Sequence, residues 1–368
     1  MHSILKRYVP VSGSYPHTYF AGANTAEGFV SAYPHWVREE ESHRVFFIKG
    51  GSGTGKSSMM KQCARAAADV GAEITLLLCS SDPTSADGVI LQGRNGRRIV
   101  ILDGTAPHIA DPALPGAAGE IVDVGTGWDV SRLCARREEI CLARRGKGAC
   151  YARAYRYLSA YRSVVDGASA LLSECILHDK LYAAADRLLG TLKDRGRFSE
   201  EIVYTHALSM HGAYRLNTFS ALAEGKCAIV DVYGTGEFFL EALRDCAIDH
   251  RRAVCTSPTP ACPNRLQELY FPQAGLHFCL VPEREEGDAA RYIHMHRFID
   301  RSALAARRGK IRFAGKCADM LIEGALQALA DAGEQHFRLE EIYKEAMDFS
   351  IVERKTASLA EYIGNVLG

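Results

Sequence analysis

Gly50-Gly51-Ser52-Gly53-Thr54-Gly55-Lys56-Ser57 reads G-x-x-x-x-G-K-[ST], the pattern of a phosphate-binding loop. Val45-Phe46-Phe47-Ile48 before it is a short apolar run that reads as a buried strand. Ser58 to Val70 after it carries apolar and small residues at helical spacing. Strand, glycine loop and helix together are the context in which this pattern has chemical meaning. The glycines allow backbone N–H groups to turn into one concavity, and the helix beginning near Lys56 adds its N-terminal partial charge. The Lys56 ammonium is expected to reach the β- and γ-phosphates of a nucleotide. The Ser57 hydroxyl is a hard oxygen donor suited to Mg²⁺. The expected nucleotide-binding set is therefore Gly50, Gly51, Ser52, Gly53, Thr54, Gly55, Lys56, Ser57 and Ser58.

The rest of the composition narrows the class. The chain has 368 residues, room for two domains, with 47% hydrophobic and 24% charged residues. Lys+Arg and Asp+Glu both number 44, so no global charge favours nucleic acid or a membrane surface. No apolar run reaches 18 residues, and Met1-His2-Ser3-Ile4-Leu5-Lys6-Arg7 lacks the apolar core of a signal peptide. The twelve cysteines form no C-x-x-C pair, and several, such as Cys79, Cys227 and Cys279, lie in apolar runs. That usage suits reduced, buried thiols and a cytoplasmic setting.

Downstream of the loop, Ile74 to Cys79 and Arg98 to Asp103 are strand candidates, each leading to a carboxylate, Asp82 or Asp103. Alternating strands and helices imply an α/β fold with a parallel sheet, whose ligand lies beyond the carboxyl ends of the strands. Asp103 fits the acid that holds Mg²⁺ together with Ser57. Asp82 is the weaker candidate, because an Asx turn before Pro83 accounts for it as well. The residue after Asp103 is Gly104, where many ATPases carry a glutamate as the base for water. The following loop, Gly104 to Gly116, offers His108 and Asp111, and Asp87 and Glu120 lie nearby; all four are candidate bases or substrate contacts.

The second half echoes the first. Lys226 to Phe238 aligns with Val45 to Ser57, placing Gly234-Thr235-Gly236 on Gly53-Thr54-Gly55. Gly275 to Val281 aligns with the Asp103 strand, Tyr204 to Gly212 loosely with Tyr19 to Gly28, and Ala143-Arg144-Arg145-Gly146-Lys147 recurs as Ala306 to Lys310. In the second copy Lys56 becomes Glu237, Ser57 becomes Phe238 and Gly50 becomes Asp231. A carboxylate about 4 Å from a phosphate charge costs about 4 kcal/mol at an effective dielectric of 20, where a lysine gains as much. The acid position after the strand falls on Val281 or Pro282. The second unit therefore reads as degenerate. Val122 to Gly127 imitates a glycine loop, but Trp128-Asp129 replaces the Lys-Ser pair, so it reads as a turn before a helix.

Residues 130 to about 195 read as helical, and Ser131 to Arg162 carries nine basic residues against two acidic ones, a local balance of +7. Tyr151, Tyr155, Tyr157 and Tyr161 interleave with them. The stretch can face a polyanion such as nucleic acid, supply a cation to the γ-phosphate, or simply present tyrosines to a core and arginines to water. Helices are also expected over 317–332, 339–349 and 351–366. His294, His296, His206 and His211 lack acid or thiol partners at ligand spacing and read as structural.

Tyr19 to Phe29, the loop itself, Cys79 to Gly88 and Asp103 to His108 with Asp111-Pro112 resemble a bacterial family of tandem P-loop proteins described as predicted ATPases or nucleotide-kinase-like proteins. The resemblance implies two P-loop units, each trailed by helices, and names no substrate. Glu237 and Phe238 depart from it where a second Lys-Ser pair is expected.

These readings combine into two P-loop NTPase-like units. The first spans 1–200, with an α/β core over about 15–130 and helices over about 130–195. The second spans 201–368, with a core over about 201–285 and helices over 286–368. The expected activity is Mg²⁺-dependent ATP binding and hydrolysis, working as a switch or motor on a partner. Lys56, Asp103, Asp82 and His108 are the expected catalytic residues, and Ser57 and Asp103 the expected metal ligands. A small-molecule or nucleotide kinase and a nucleotide-gated nucleic-acid binder working through 131–162 are the alternatives. GTP stays open beside ATP, although no N/T-K-x-D string for guanine is present. An oligomer is compatible with the sequence and a membrane partner is not expected.

Overall fold

The computed structural model describes residues 3–192, 196–283, 289 and 291–368. The expected boundaries at 195, 285 and 286 lie outside those residues.

The first unit contributes strands β1 (His17–Phe20), β2 (Arg44–Lys49), β3 (Glu73–Leu78), β4 (Ala86–Gln92), β5 (Arg98–Asp103) and β6 (Gly119–Asp123). They form one sheet in the order β1-β3-β4-β5-β2-β6. The second unit contributes β7 (Ser199–Ile202), β8 (Gly225–Val230), β9 (Ala253–Thr259), β10 (Cys262–Phe271), β11 (Leu276–Val281) and β12 (Arg291–His294), in the order β7-β9-β10-β11-β8-β12. The two orders are the same, strand for strand.

Both sheets are mixed, which corrects the expectation of purely parallel ones. β4 runs antiparallel to β3 and β5, and β10 runs antiparallel to β9 and β11. Ala86 to Leu91 is buried throughout, Asp87 included, so it lacks the alternation that marks a half-exposed strand. The turn at Gly93 to Arg97 returns the chain directly, without a crossover helix.

The longer helices are α1 (Lys56–Asp69), α2 (Arg137–Ser173), α3 (His178–Gly190), α4 (Gly236–Asp249), α5 (Arg301–Glu345) and α6 (Phe349–Leu367). The C-terminal part is thus two helices rather than three. Arg301 to Glu345 contains no proline to break it, and Asp348 restarts the chain by accepting from Ser350 N. No helix among the described residues is long and apolar enough to cross a membrane.

α2 and α5 lie antiparallel. The cross-contacts run from Arg136 with Glu345, through Gly146 against Gln335 and Tyr157 against Gly324, to Glu174 with Arg307. Leu158, Tyr161 and Val165 pack there with Ala318, Ile322 and Leu329. Small residues such as Ala154, Gly324 and Ala325 let the two axes approach.

The helices that follow each core pack on the other core. α3 follows the first unit in sequence, yet Leu181, Ala185 and Leu189 join Phe239, Leu243 and Cys246 of α4. α6 follows the second unit, yet Val352, Leu359 and Ile363 join Met60, Cys63 and Ala67 of α1. The junctions match as well. Trp128 bridges Met347 and Ile176 bridges Ile299, each in an isolated antiparallel bridge. Asp129 and Asp300 cap the corresponding helices. These pairs place residue i of the first unit on i+171 of the second in this region. The repeated Ala-Arg-Arg-Gly-Lys string is therefore eight residues out of structural register, a recurrence of letters and not of position.

Candidate active site

The loop leaves β2, crosses the carboxyl edge of the sheet and enters α1. Gly53 and Gly55 take φ of +72° and +84°, the left-handed region where a side chain is strained. A Cβ on Gly53 would also stand 2.6 Å from the Glu340 carbonyl oxygen of α5, so the loop is overlaid by the returning helix. Gly51 faces the Trp128 and Tyr343 rings, and Gly55 faces Val352 and Phe349.

Lys56 Nζ donates to the carbonyls of Gly50 at 2.8 Å and Gly51 at 2.6 Å, and lies 3.5 Å from Asp103 Oδ2. Asp103 ends β5, paired with Ile48 at the end of β2, so adjacent parallel strands deliver acid and loop to the same edge. Asp103 Oδ1 accepts from Thr105 N at 2.9 Å and from the Thr105 hydroxyl. Burial pushes the Asp103 carboxyl up, opposed chiefly by the Lys56 charge. Ser57 Oγ accepts from Ala86 N at 2.9 Å. A hydroxyl and a carboxylate lining one cleft fit Mg²⁺, which binds few protein oxygens and takes the rest from phosphate and water.

Asp82 lines the cleft but is spent on its own turn, where Oδ1 accepts from Thr84 N at 3.1 Å and Thr84 Oγ1 at 2.7 Å. His211 lies 3.4 Å from the same oxygen. His108 is buried, its Nδ1 2.9 Å from Ser31 Oγ and its Nε2 3.2 Å from Asp87 Oδ2. Its ring stacks on Tyr33 with centroids 4.3 Å apart. The Tyr33 hydroxyl donates to the carbonyls of both Asp87 and Asp103, tying the two acids' strands together. Asp87 Oδ2 is buried, with the His108 ring as its neighbour at 3.2 Å. Of the other candidate bases, Asp111 pairs with Lys49 at 2.7 Å and Glu120 is exposed on β6.

The sequence reading offered a cation from 131–162 to the γ-phosphate, but it did not foresee that α5 would complete the far wall of the site. The cleft holds about 1300 Å³, and its roof comes from α2 and α5, with Arg144, Lys147, Tyr151 and Tyr155 on one and His336 and Tyr343 on the other. Lys147 Nζ lies 3.0 Å from His336 Nδ1. Burial and neighbouring cations hold His336 down at about 4, so its ring is neutral at pH 7 and accepts from the lysine. Burial, with Lys56 as a lesser cause, also lowers Lys147. The signal for this wall was the spacing 144, 147, 151, 155, one stripe on a helix. Part of the rest of the basic stretch is used internally. Arg136 pairs with Glu139 and Glu345, Arg153 with Asp331, and Arg162 with Glu27.

The second loop is closed. Asp231 Oδ1 accepts from the N–H groups of Tyr233, Gly234 and Thr235 at 3.3, 2.9 and 2.8 Å. A carboxylate thus occupies the nest that phosphate would need. Glu237 pairs with Arg265, which also reaches Asp166, and the space left is about 60 Å³. Strand register gives the acid position a new occupant. Ile48 pairs with Asp103, and its counterpart Ile229 pairs with Leu280, so Leu280 stands at that place instead of Val281 or Pro282. Counting along the neighbouring strands sets Gln267 at the place of Asp87.

No family model matches the chain, and no curated protein or solved structure is significantly similar to it.

Proposed function

We propose that this chain is a Mg²⁺-dependent ATP-binding protein of the tandem P-loop kind, with one working site in the first unit and a scaffold in the second. The observation that carries the reading is Lys56 held 3.5 Å from Asp103 at the mouth of a glycine loop with two left-handed glycines. In this reading the N–H groups of Gly53 to Lys56 cradle the phosphates. Lys56 neutralises the β,γ-bridge, and Ser57 and Asp103 hold the metal. Mg²⁺, when bound, supplies charge neutralisation at the β- and γ-phosphates.

ATP hydrolysis coupled to a partner is the first form of the activity. The exchanged helices support it, because α5 and α6 lie on the loop and on α1, so a shift there is felt across the chain. A second form, transfer of the γ-phosphoryl group to a small acceptor, is favoured by Gly104 at the usual place of the water-activating glutamate and by the size of the cleft. Nucleic-acid binding through 131–162 has less support, since Arg136, Arg153 and Arg162 are paired within the fold and Arg144 and Lys147 line the cleft. Mg²⁺–ATP binding and phosphate release by wild type and Lys56→Ala test the reading. Loss of both in the variant is expected, and equal values would overturn it.

A further inference from the structure

The cleft is larger than one ligand requires. Pockets that enclose a single small ligand run to about 1,000 Å³, and this one holds about 1300 Å³. It also has two aromatic regions. Trp128, Tyr343 and Phe349 lie directly against the loop glycines. Phe29, Tyr151 and Tyr155 line the same cleft from other elements, the two tyrosines stacked with centroids 5.9 Å apart.

The second region is built to hold something. Along α2 the stripe passes from Arg144 and Lys147 to Tyr151 and Tyr155, cationic at one end and aromatic at the other. No carboxylate among the described residues lies within ion-pair distance of Lys147, whose bond is to the neutral His336 ring. A half-buried ammonium without a counter-charge is suited to an incoming anion. At the aromatic end Asn24 is fully buried, donating to the Leu208 carbonyl at 2.8 Å and accepting from the Tyr155 hydroxyl at 3.1 Å. Asn24 therefore fixes the Tyr155 ring at the wall of the cleft. Asp87 borders the same space with a buried carboxylate whose Oδ2 lies 3.2 Å from His108 Nε2 and which also meets the Cys79 thiol, while the His108 ring is fixed by Ser31 and Tyr33.

We infer that this region is an acceptor site for a nucleoside, and that Asp87 is the base which takes the proton from its hydroxyl. The inference rests on the proposed ATP site and deepens it. The ring lies against Tyr151, Tyr155 and Phe29. The acceptor O–H proton passes to the Asp87 carboxylate, and the acceptor oxygen forms a bond to the γ-phosphorus. The bond from that phosphorus to the β,γ-bridging oxygen breaks. The products are a nucleoside monophosphate and ADP, with the leaving charge met by Lys56. Lys147 faces the transferring phosphoryl oxygens from the opposite side. His108 is a positioning residue for Asp87, and Gln267 at the corresponding place in the second unit cannot serve as a base.

The test uses the full chain with Mg²⁺–ATP. ADP release is followed alone and with adenosine, guanosine, cytidine or uridine, and binding of P1,P4-di(adenosine-5′) tetraphosphate is compared with that of ATP. At least one nucleoside is expected to raise ADP release by about tenfold and to appear as its monophosphate. The dinucleotide, spanning both regions, is expected to bind at least about tenfold tighter than ATP. Asp87→Asn is expected to lower kcat about a hundredfold with ATP affinity kept. Tyr155→Ala, nearer the surface of the fold, is expected to raise the nucleoside KM and leave ATP affinity alone, and it serves if the Asp87 variant does not fold. Lys56-dependent ATP binding with no response to any nucleoside and no gain for the dinucleotide would overturn the acceptor site while sparing the ATP site. Absence of Lys56-dependent ATP binding would overturn both.

Discussion

Glu237 stands where Lys56 stands in the first unit, and both of its carboxylate oxygens accept from Arg265 Nη1, at 2.5 and 2.6 Å. The second loop is therefore more than a loop that lacks a lysine. Its charge is reversed and then neutralised from within the fold. Glu237→Lys should not create a second nucleotide site, because it sets two buried cations against each other. Breaking such a pair costs about 3–5 kcal/mol. A clear drop in Tm and an unchanged number of ATP sites are the expected results by thermal melting and calorimetry.

Asp231 fills the second nest with its own carboxylate. Asp231→Ala leaves the N–H groups of Gly234 and Thr235 without that acceptor inside the fold. Each such loss costs about 1–3 kcal/mol. Urea unfolding should show the loss, whereas Gly50→Ala at the equivalent place should act mainly on ATP binding, since a Cβ there meets Val124 and Thr54 at 2.5 and 2.8 Å.

Ile363 is fully buried in α6 against the first unit, although it follows the second in sequence. Ile363→Ala should cost about 2–5 kcal/mol. The loss should reach ATP binding, because Val352 and Phe349 of the same helix touch Gly55. A variant with a weaker core and unaltered ATP affinity would show that α6 does not support the loop.

His206 is buried in the second unit with Glu268, and desolvation holds it down at about 4. In the unfolded chain it titrates near 6.5, so between those values the unfolded state binds more protons. Stability should therefore be full above pH 6.5 and fall as the pH drops toward 4. Glu268, held at about 2 by its bonds to His277 and Thr205 against the cost of burial, adds a further loss only at lower pH, from about 4.5 down. Denaturant midpoints at pH 7, 5.5 and 4.5 should decline in wild type and decline less over that range in His206→Gln.

The strand, glycine loop and helix around Lys56 were legible because a loop's pattern is local. Gly53, Gly55, Lys56 and Ser57 sit within one turn of chain, and Asp103 follows from a strand that pairs with β2. What stayed hidden depends on packing between distant segments. Ala86 to Leu91 mixes Asp87 and Gly88 with apolar residues, and no alternation marks it as a strand. Lys147 and His336 meet only because α2 and α5 run antiparallel. The exchange of α3 and α6 leaves no local trace, since an amphipathic helix shows which face is apolar and not which core receives it. Leu280 could be set in register only once β8 and β11 were paired.

Whether one nucleotide site works or two is decided by counting them. Calorimetric titration of the full chain with Mg²⁺–ATP should give one site per chain, lost in Lys56→Ala and kept in Glu237→Gln. Two sites per chain, or one that survives Lys56→Ala, would contradict the account.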